Sequence, residues 1–405
     1  MDQHSRKLRP DFTILAETDF RNVHRPFGIR RADRRAHIHI IGKTGTGKST
    51  LIANLCRQDI LNGEGLALLD PHGDLMESVI RMVPPERQDD LIYFNVPDRK
   101  YPLAFNPLDV ASEAAKPLAA SALISAFKKL WADSWGPRME YLLRNALLSL
   151  LDLPQRTLFD IPKLFDDAGF RAQALTAVRN PHVRRFWERE YDRFPARLRV
   201  EAIAPIQNKV GEFLVNPILQ PILSKPTSSF RLREVMDGGK ILLVNLAKGK
   251  IGEDTAALLG TLLVTQLSVA ALSRSDIAGD NRRDFYLYAD EFPSFTTSAF
   301  AGMLAEMRKY RLCLTLAHQH LGQLEDSVRD AVIGNVGTTI AFRVGMCDAE
   351  LLAKEFLPEF AAADLVHLPN YHFYIRLMVN GTVSRPFSAR MHAPRERGVD
   401  TNRDR

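Results

Sequence analysis

Cysteine is scarce in this sequence: Cys56, Cys313 and Cys347 are the three in 405 residues, far apart and without a CxxC pair. That excludes a disulfide-stapled scaffold, and it fits a reducing compartment in which thiols serve as packing groups. Long hydrophobic runs are lacking too. The longest, Leu258 to Ala271, is interrupted by Thr261, Thr265, Gln266 and Ser268, so it reads as a core helix too short to span a bilayer. The opening residues are charged and no apolar segment follows, so no signal peptide is expected and the predicted location is the cytoplasm. Internal repeats are absent. What is present is a chain 45% hydrophobic, enough for a sizeable core and for about two or three domains.

The net charge is +6, with a sequence pI near 9.2, and the excess is uneven. Residues 1–35 read as a basic N-terminal arm and 389–405 as a basic flexible tail. A third cluster, RNPHVRRFWEREYDRFPARLR (Arg179 to Arg199), interleaves arginines with Phe186, Trp187, Tyr191 and Phe194. Arginine with aromatics suits a phosphate backbone and stacked bases. Glu188, Glu190 and Asp192 lie among them, so helix-surface ion pairs are the alternative.

The strongest local signal is HIHIIGKTGTGKST, His37 to Thr50. Gly42-Lys43-Thr44-Gly45-Thr46-Gly47-Lys48-Ser49 fits G-x-x-x-x-G-K-[ST] at every defined position, with a short β-branched strand before it and a helix after it. Glycines let the loop wrap a phosphate chain with its N–H groups inward, and the helix N-terminus adds a favourable dipole. Gly42 to Thr50 is the expected nucleotide-binding segment, with Lys48 reaching the β/γ-phosphates and the Ser49 hydroxyl binding magnesium.

Short apolar segments recur: GLALLDP from Gly65, LIYFNV from Leu91, KILLVNL from Lys240, DFYLYAD from Asp284, LCLTLA from Leu312 and TTIAFRV from Thr338. Near-continuous apolar strands imply helices on both faces, so the fold class is α/β with a mostly parallel central sheet. Strand signals vanish between about Ser112 and Ser229, which predicts an α-helical insertion over 112–230. It would divide the P-loop domain into 36–111 and 231–388, with Asn380-Gly381 turning a final hairpin.

FYLYADEFPSF places Asp290 and Glu291 at the end of a buried strand. Next to a phosphate site the first acid would hold magnesium with Ser49, and the second would accept a proton from the attacking water. A charged strand end is the alternative. In LCLTLAHQH, Gln319 would stand beside Glu291 if the two strands are neighbours, placed to sense the γ-phosphate. His318 and His320 flank it with no ligand set for zinc.

GKTGTGKST, LLDPHGDL, IQNKVGEFL, LYADEFPSF, RKYRLCLTLAHQHLGQL and IGNVGTTIAFRVG occur in one order, and with them the chain resembles the HerA–FtsK superfamily of DNA-pumping ATPases. The resemblance is greatest to the cytosolic part of TraG/TraD-like type IV secretion coupling proteins, and it runs from about Phe27 to Pro386. It implies a RecA-like P-loop domain with an all-α insertion, a homo-hexameric ring, ATP and Mg2+ as ligands, and DNA held by its backbone. Lys48, Ser49, Asp290, Glu291 and Gln319 match the phosphate, metal, base and sensor positions. An arginine from the neighbouring subunit completes such sites, and Arg308 is the first candidate here, before Arg343 and Arg311. Asp70 either adds a carboxylate near the metal or shapes a turn. The resemblance also implies secretion-channel or relaxase-type partners and recruitment to the inner membrane. Such proteins usually begin with transmembrane helices, which this sequence does not show. An ATP-driven DNA translocase is the expected function. A non-motor ATPase acting on protein partners and a HerA-like DNA-processing helicase remain the other readings, with a small-molecule kinase behind them.

Overall fold

A computed structural model describes residues 11–391 except Asn22 and Ala111. Its strands in chain order are β1 Phe12–Thr18, β2 Pro26–Arg30, β3 Ile38–Ile41, β4 Gly65–Asp70, β5 Leu91–Asn95, β6 Ile241–Asn245, β7 Phe285–Ala289, β8 Leu312–His318, β9 Thr338–Ala341, β10 His372–Arg376, β11 Met378–Val379, β12 Thr382–Val383 and β13 Phe387–Arg390. Eleven form one sheet ordered β2-β1-β13-β10-β9-β3-β8-β7-β4-β6-β5, and β11 and β12 pair separately. From β9 to β5 every pairing is parallel; from β9 to β2 every pairing is antiparallel.

The apolar strands are buried because both faces of the parallel part are covered. Leu66 and Leu68 of β4 pack with Leu51, Leu55 and Ile60 of the helix Lys48–Leu61, whereas Ala67 and Leu69 join the core shared with the helices Lys116–Leu130 and Glu253–Ser273. Side chains alternate along a strand, so two cores consume every position. Between β5 and β6 the described chain forms only helices, and their core is continuous with that under the sheet. The run from Leu258 lies in the longer helix Glu253–Ser273. The stretch Glu253–Asp276 is long and apolar enough to cross a membrane by length and composition, yet 89% of its apolar window is buried. Burial, not shortness, marks it as a core helix.

Two expectations need correction. The opening region is not an arm from residue 12 onward. β1 and β2 extend the sheet, and Arg34 is buried with both Nη groups on the Asp59 carboxylate (2.5 and 2.9 Å) and Nη2 on the Tyr288 hydroxyl (2.7 Å). Arg31 and Arg35 converge on Asp284. These arginines hold the opening segment to the domain through buried carboxylates: Asp59 in the helix Lys48–Leu61 and Asp284 just before β7. Residues 1–10 lie outside the described residues, as does 392–405 of the expected tail; Arg390 itself is in β13 and pairs with Glu17 at 3.8 Å.

The arginine-aromatic cluster is the second. Phe186, Trp187 and Tyr191 are fully buried. The Trp187 indole donates to Ser149 Oγ (2.8 Å) and the Tyr191 hydroxyl to the Phe165 carbonyl (2.8 Å). No base can stack on these three; of the cluster's aromatics only Phe194 is half-buried, among the surface charges.

Candidate functional site

The P-loop leaves β3 and enters the helix Lys48–Leu61. Gly45 and Gly47 adopt φ of +76° and +123°, which a side chain rarely accepts. At Gly42 a Cβ would lie 2.5 Å from Phe342 Cβ. Lys48 Nζ folds back onto the carbonyls of Gly42 (2.5 Å) and Lys43 (3.2 Å), and burial lowers its pKa against the opposing pull of Asp290 and Glu291. Thr44, Gly45, Gly47, Lys48, Ser49 and Thr50 share a cavity of about 170 Å³ with Asp290, Glu291 and Gln319.

The acids come from the end of β7. Ser49 Oγ donates to Asp290 Oδ2 at 3.3 Å. Burial pushes the Asp290 carboxyl up to about 6, and the charges of Glu291 and Asp70 add to this. Glu291 stands in the left-handed region at φ +50° and opens the short turn Phe292–Ser294. A non-glycine residue there is uncommon and marks a place where surrounding contacts fix the backbone.

β8 pairs with both β3 and β7, so Gln319 emerges between loop and acids. Its amide donates to Glu291 Oε1 (2.6 Å), and Thr44 Oγ1 donates to its carbonyl oxygen (2.9 Å). His318, just before it, is buried. Its Nδ1–H donates to the His320 carbonyl (2.9 Å), so its Nε2 accepts from His39 Nε2–H at 2.8 Å. Burial lowers His39 to about 4 and His318 further, so this bridge between β3 and β8 is uncharged at neutral pH.

The remaining candidates separate. Both Asp70 carboxylate oxygens accept backbone N–H groups, from His72 (2.9 Å) and Met76 (2.8 Å), so it shapes the turn into the helix Asp74–Ile80 and reaches Asp290 by charge alone. Arg343 is held by the Leu368 carbonyl (3.0 Å) and Asn370 (2.8 Å), and its own carbonyl accepts from Lys43 N. Arg311 pairs with Asp284 at 3.6 Å. Arg308 is exposed, makes no ion pair among the described residues, and lines a cavity of about 830 Å³ with Arg30, Arg35 and Arg282. That cavity lies at the N-terminal ends of β3, β7 and β8, the far edge of the sheet from the P-loop.

Two further residues of the site have no role assigned from the sequence, His72 within LLDPHGDL and Tyr371 outside every motif. His72 and Tyr371 line the P-loop cavity, and Tyr371 N donates to the Thr46 carbonyl (2.8 Å) from a backbone at φ +65°. Only the tertiary path of the chain before β10 brings Tyr371 there. The pocket fits a nucleotide triphosphate with a divalent cation. Backbone glycines and a buried lysine face a hydroxyl and a buried carboxylate crowded by two further acids, which is the oxygen donor set of a hard cation.

A search among curated protein sequences finds no match. Among solved structures, the unbound bacterial conjugative coupling protein TrwBdeltaN70 is similar at a TM-score of 0.63 and 16% identity, over 90% of this chain and 87% of that one. The plasmid coupling protein TrwB in complex with the non-hydrolysable ATP analogue ADPNP gives 0.63 at 17% identity, over 89% and 86%. VirB4 of Thermoanaerobacter pseudethanolicus gives 0.59 at 14% identity, over 95% and 97%. These likenesses establish a common fold. Residues 26–357 match the type IV secretion-system coupling protein DNA-binding domain, and the chain belongs to that family.

Proposed function

We propose that the chain is an ATP-dependent DNA translocase of type IV secretion or conjugative transfer, working as a homo-hexameric ring. The observation that carries the hydrolytic part is the convergence of Lys48, Ser49, Asp290, Glu291 and Gln319 on one cavity. TrwB structures with ADPNP and with ADP and Mg2+ support the same ligands here. Bound Mg2+, held by Ser49 and Asp290, would neutralise charge on the phosphates. Lys48 would exchange its carbonyl partners for phosphate oxygens. Glu291 takes a proton from water, the water oxygen attacks the γ-phosphorus, and the bond to the β-phosphate oxygen breaks to leave ADP. Gln319, between Thr44 and Glu291, couples the phosphate loop to the base. Arg308, uncommitted and exposed, suits a neighbouring subunit's site.

The DNA part rests on the family's DNA-binding description and the basic charge. A protein-directed ATPase is the second reading, favoured by the arginines and aromatics committed to the protein's own core. Hydrolysis measured without DNA, with single strands and with duplex separates them. Several-fold stimulation that fades with salt is expected for a backbone grip, because phosphate contacts release counterions. Glu291→Gln should bind ATP and hardly hydrolyse it. Full turnover that ignores DNA would overturn the motor.

A further inference from the structure

One lysine of the helical insertion makes a polar contact with the loop that follows Glu291. Lys129, in the last turn of the helix Lys116–Leu130, extends Nζ to the Pro293 carbonyl at 2.7 Å. Pro293 is two residues beyond Glu291. The charge acting on Lys129 is that of Glu325, which follows the Gln319 loop, and burial lowers its pKa to about 8 against that pull. One side chain thus touches the segment that follows Glu291 and feels the charge of the segment that follows Gln319.

The rest of the Glu291 loop is clamped from fixed elements. Phe292 meets His318 edge-on, with ring centroids 5.1 Å apart. Phe295 fills the space above Gly260, where a Cβ would fall 2.2 Å from its ring. Ser294 N closes the turn onto the Glu291 carbonyl at 3.1 Å. Beside those apolar contacts, the Lys129 bond is a polar contact that the insertion makes with the loop backbone. It holds a carbonyl two residues past Glu291, whose own backbone stands at positive φ, where a small shift redirects the carboxylate.

We propose that Lys129 is a positioning residue for Glu291, through which the helical insertion sets the rate of hydrolysis. This rests on the assignment of Glu291 as base, so the test separates the two. The full chain would be compared with Lys129→Met, Lys129→Arg and Glu291→Gln for steady-state turnover and for binding of a fluorescent non-hydrolysable ATP analogue. All three tryptophans, Trp131, Trp135 and Trp187, lie in the insertion, so their emission reports on it directly. Lys129→Met should lower kcat by about tenfold or more, the scale of a misplaced catalytic group, while KM and analogue affinity stay within about twofold. Lys129→Arg should restore most of the rate. Analogue binding should alter tryptophan emission in the parent and not in Lys129→Met. An inactive Glu291→Gln beside an unimpaired Lys129→Met would overturn the role of Lys129 alone. Loss of analogue binding in Lys129→Met, or an emission change that survives the substitution, would also overturn it. An active Glu291→Gln would overturn the base assignment first.

Discussion

At the scale of single residues, the site trades stability for function. Asp290 is buried beside Glu291 and Asp70, and its folded pKa of about 6 stands above the ordinary 3.8. A carboxyl raised in this way binds its proton more tightly in the fold, so stability is lost as pH rises from about 4 through about 6. The shift corresponds to about 3 kcal/mol of penalty at neutral pH in the nucleotide-free protein. Asp290→Asn should therefore raise the unfolding midpoint of the nucleotide-free protein at pH 7.5. The gain should shrink towards pH 4, and Mg2+-dependent hydrolysis should be lost. Calorimetry at the two pH values checks this, and a variant less stable than the parent at pH 7.5 would refute it. The Arg34–Asp59–Tyr288 cluster shows the opposite balance: its carboxylate accepts from a guanidinium and a phenol, and no charge is left over.

At the scale of elements, legibility followed burial. β3 to β9, other than β5, carry unbroken buried patterns, and their apolar runs marked them. β1 and β10 interleave buried with exposed or half-buried positions, and β2 and β13 are mixed and arginine-bearing, so nothing in a search for apolar runs reveals them. The Asn380-Gly381 hairpin was readable because its turn needs positive φ at both residues, which they adopt at +54° and +78°. In the site, residues named by a motif come together, His72 of LLDPHGDL among them, whereas Tyr371 and Lys129 are placed by packing that no local pattern encodes. Packing between elements also predicts a mutation. A methyl at Gly260 would collide with Phe295, and the ring sits four residues past Glu291. Gly260→Ala should destabilise the fold by about 1–3 kcal/mol through overpacking and lower turnover with nucleotide affinity retained. Denaturant unfolding together with kcat and KM tests it; unchanged turnover would mean the loop position is not critical.

At the scale of the whole molecule, the sheet separates the P-loop cavity from Arg308, the arginine proposed to act on a neighbouring subunit. The phosphate loop and acids occupy the C-terminal ends of the parallel strands, while Arg308 stands at their N-terminal ends, exposed and without an ion pair among the described residues. No single copy can bring these ends together, because the length of the strands lies between them. A head-to-tail ring can, since each heterologous contact sets one end of a subunit against the other end of the next. Arg308→Ala should then be nearly inactive though its own phosphate pocket is intact, and Lys48→Ala should be inactive though its Arg308 is intact. Mixed in equal amounts and allowed to exchange, the two would rebuild complete sites at roughly a quarter of contacts, wherever an intact pocket faces an intact arginine. Turnover of the mixture above that of either variant alone is the expected result. No recovery on mixing, with Arg308→Ala inactive by itself, would place the arginine within its own subunit's function; a fully active Arg308→Ala would remove it from the reaction.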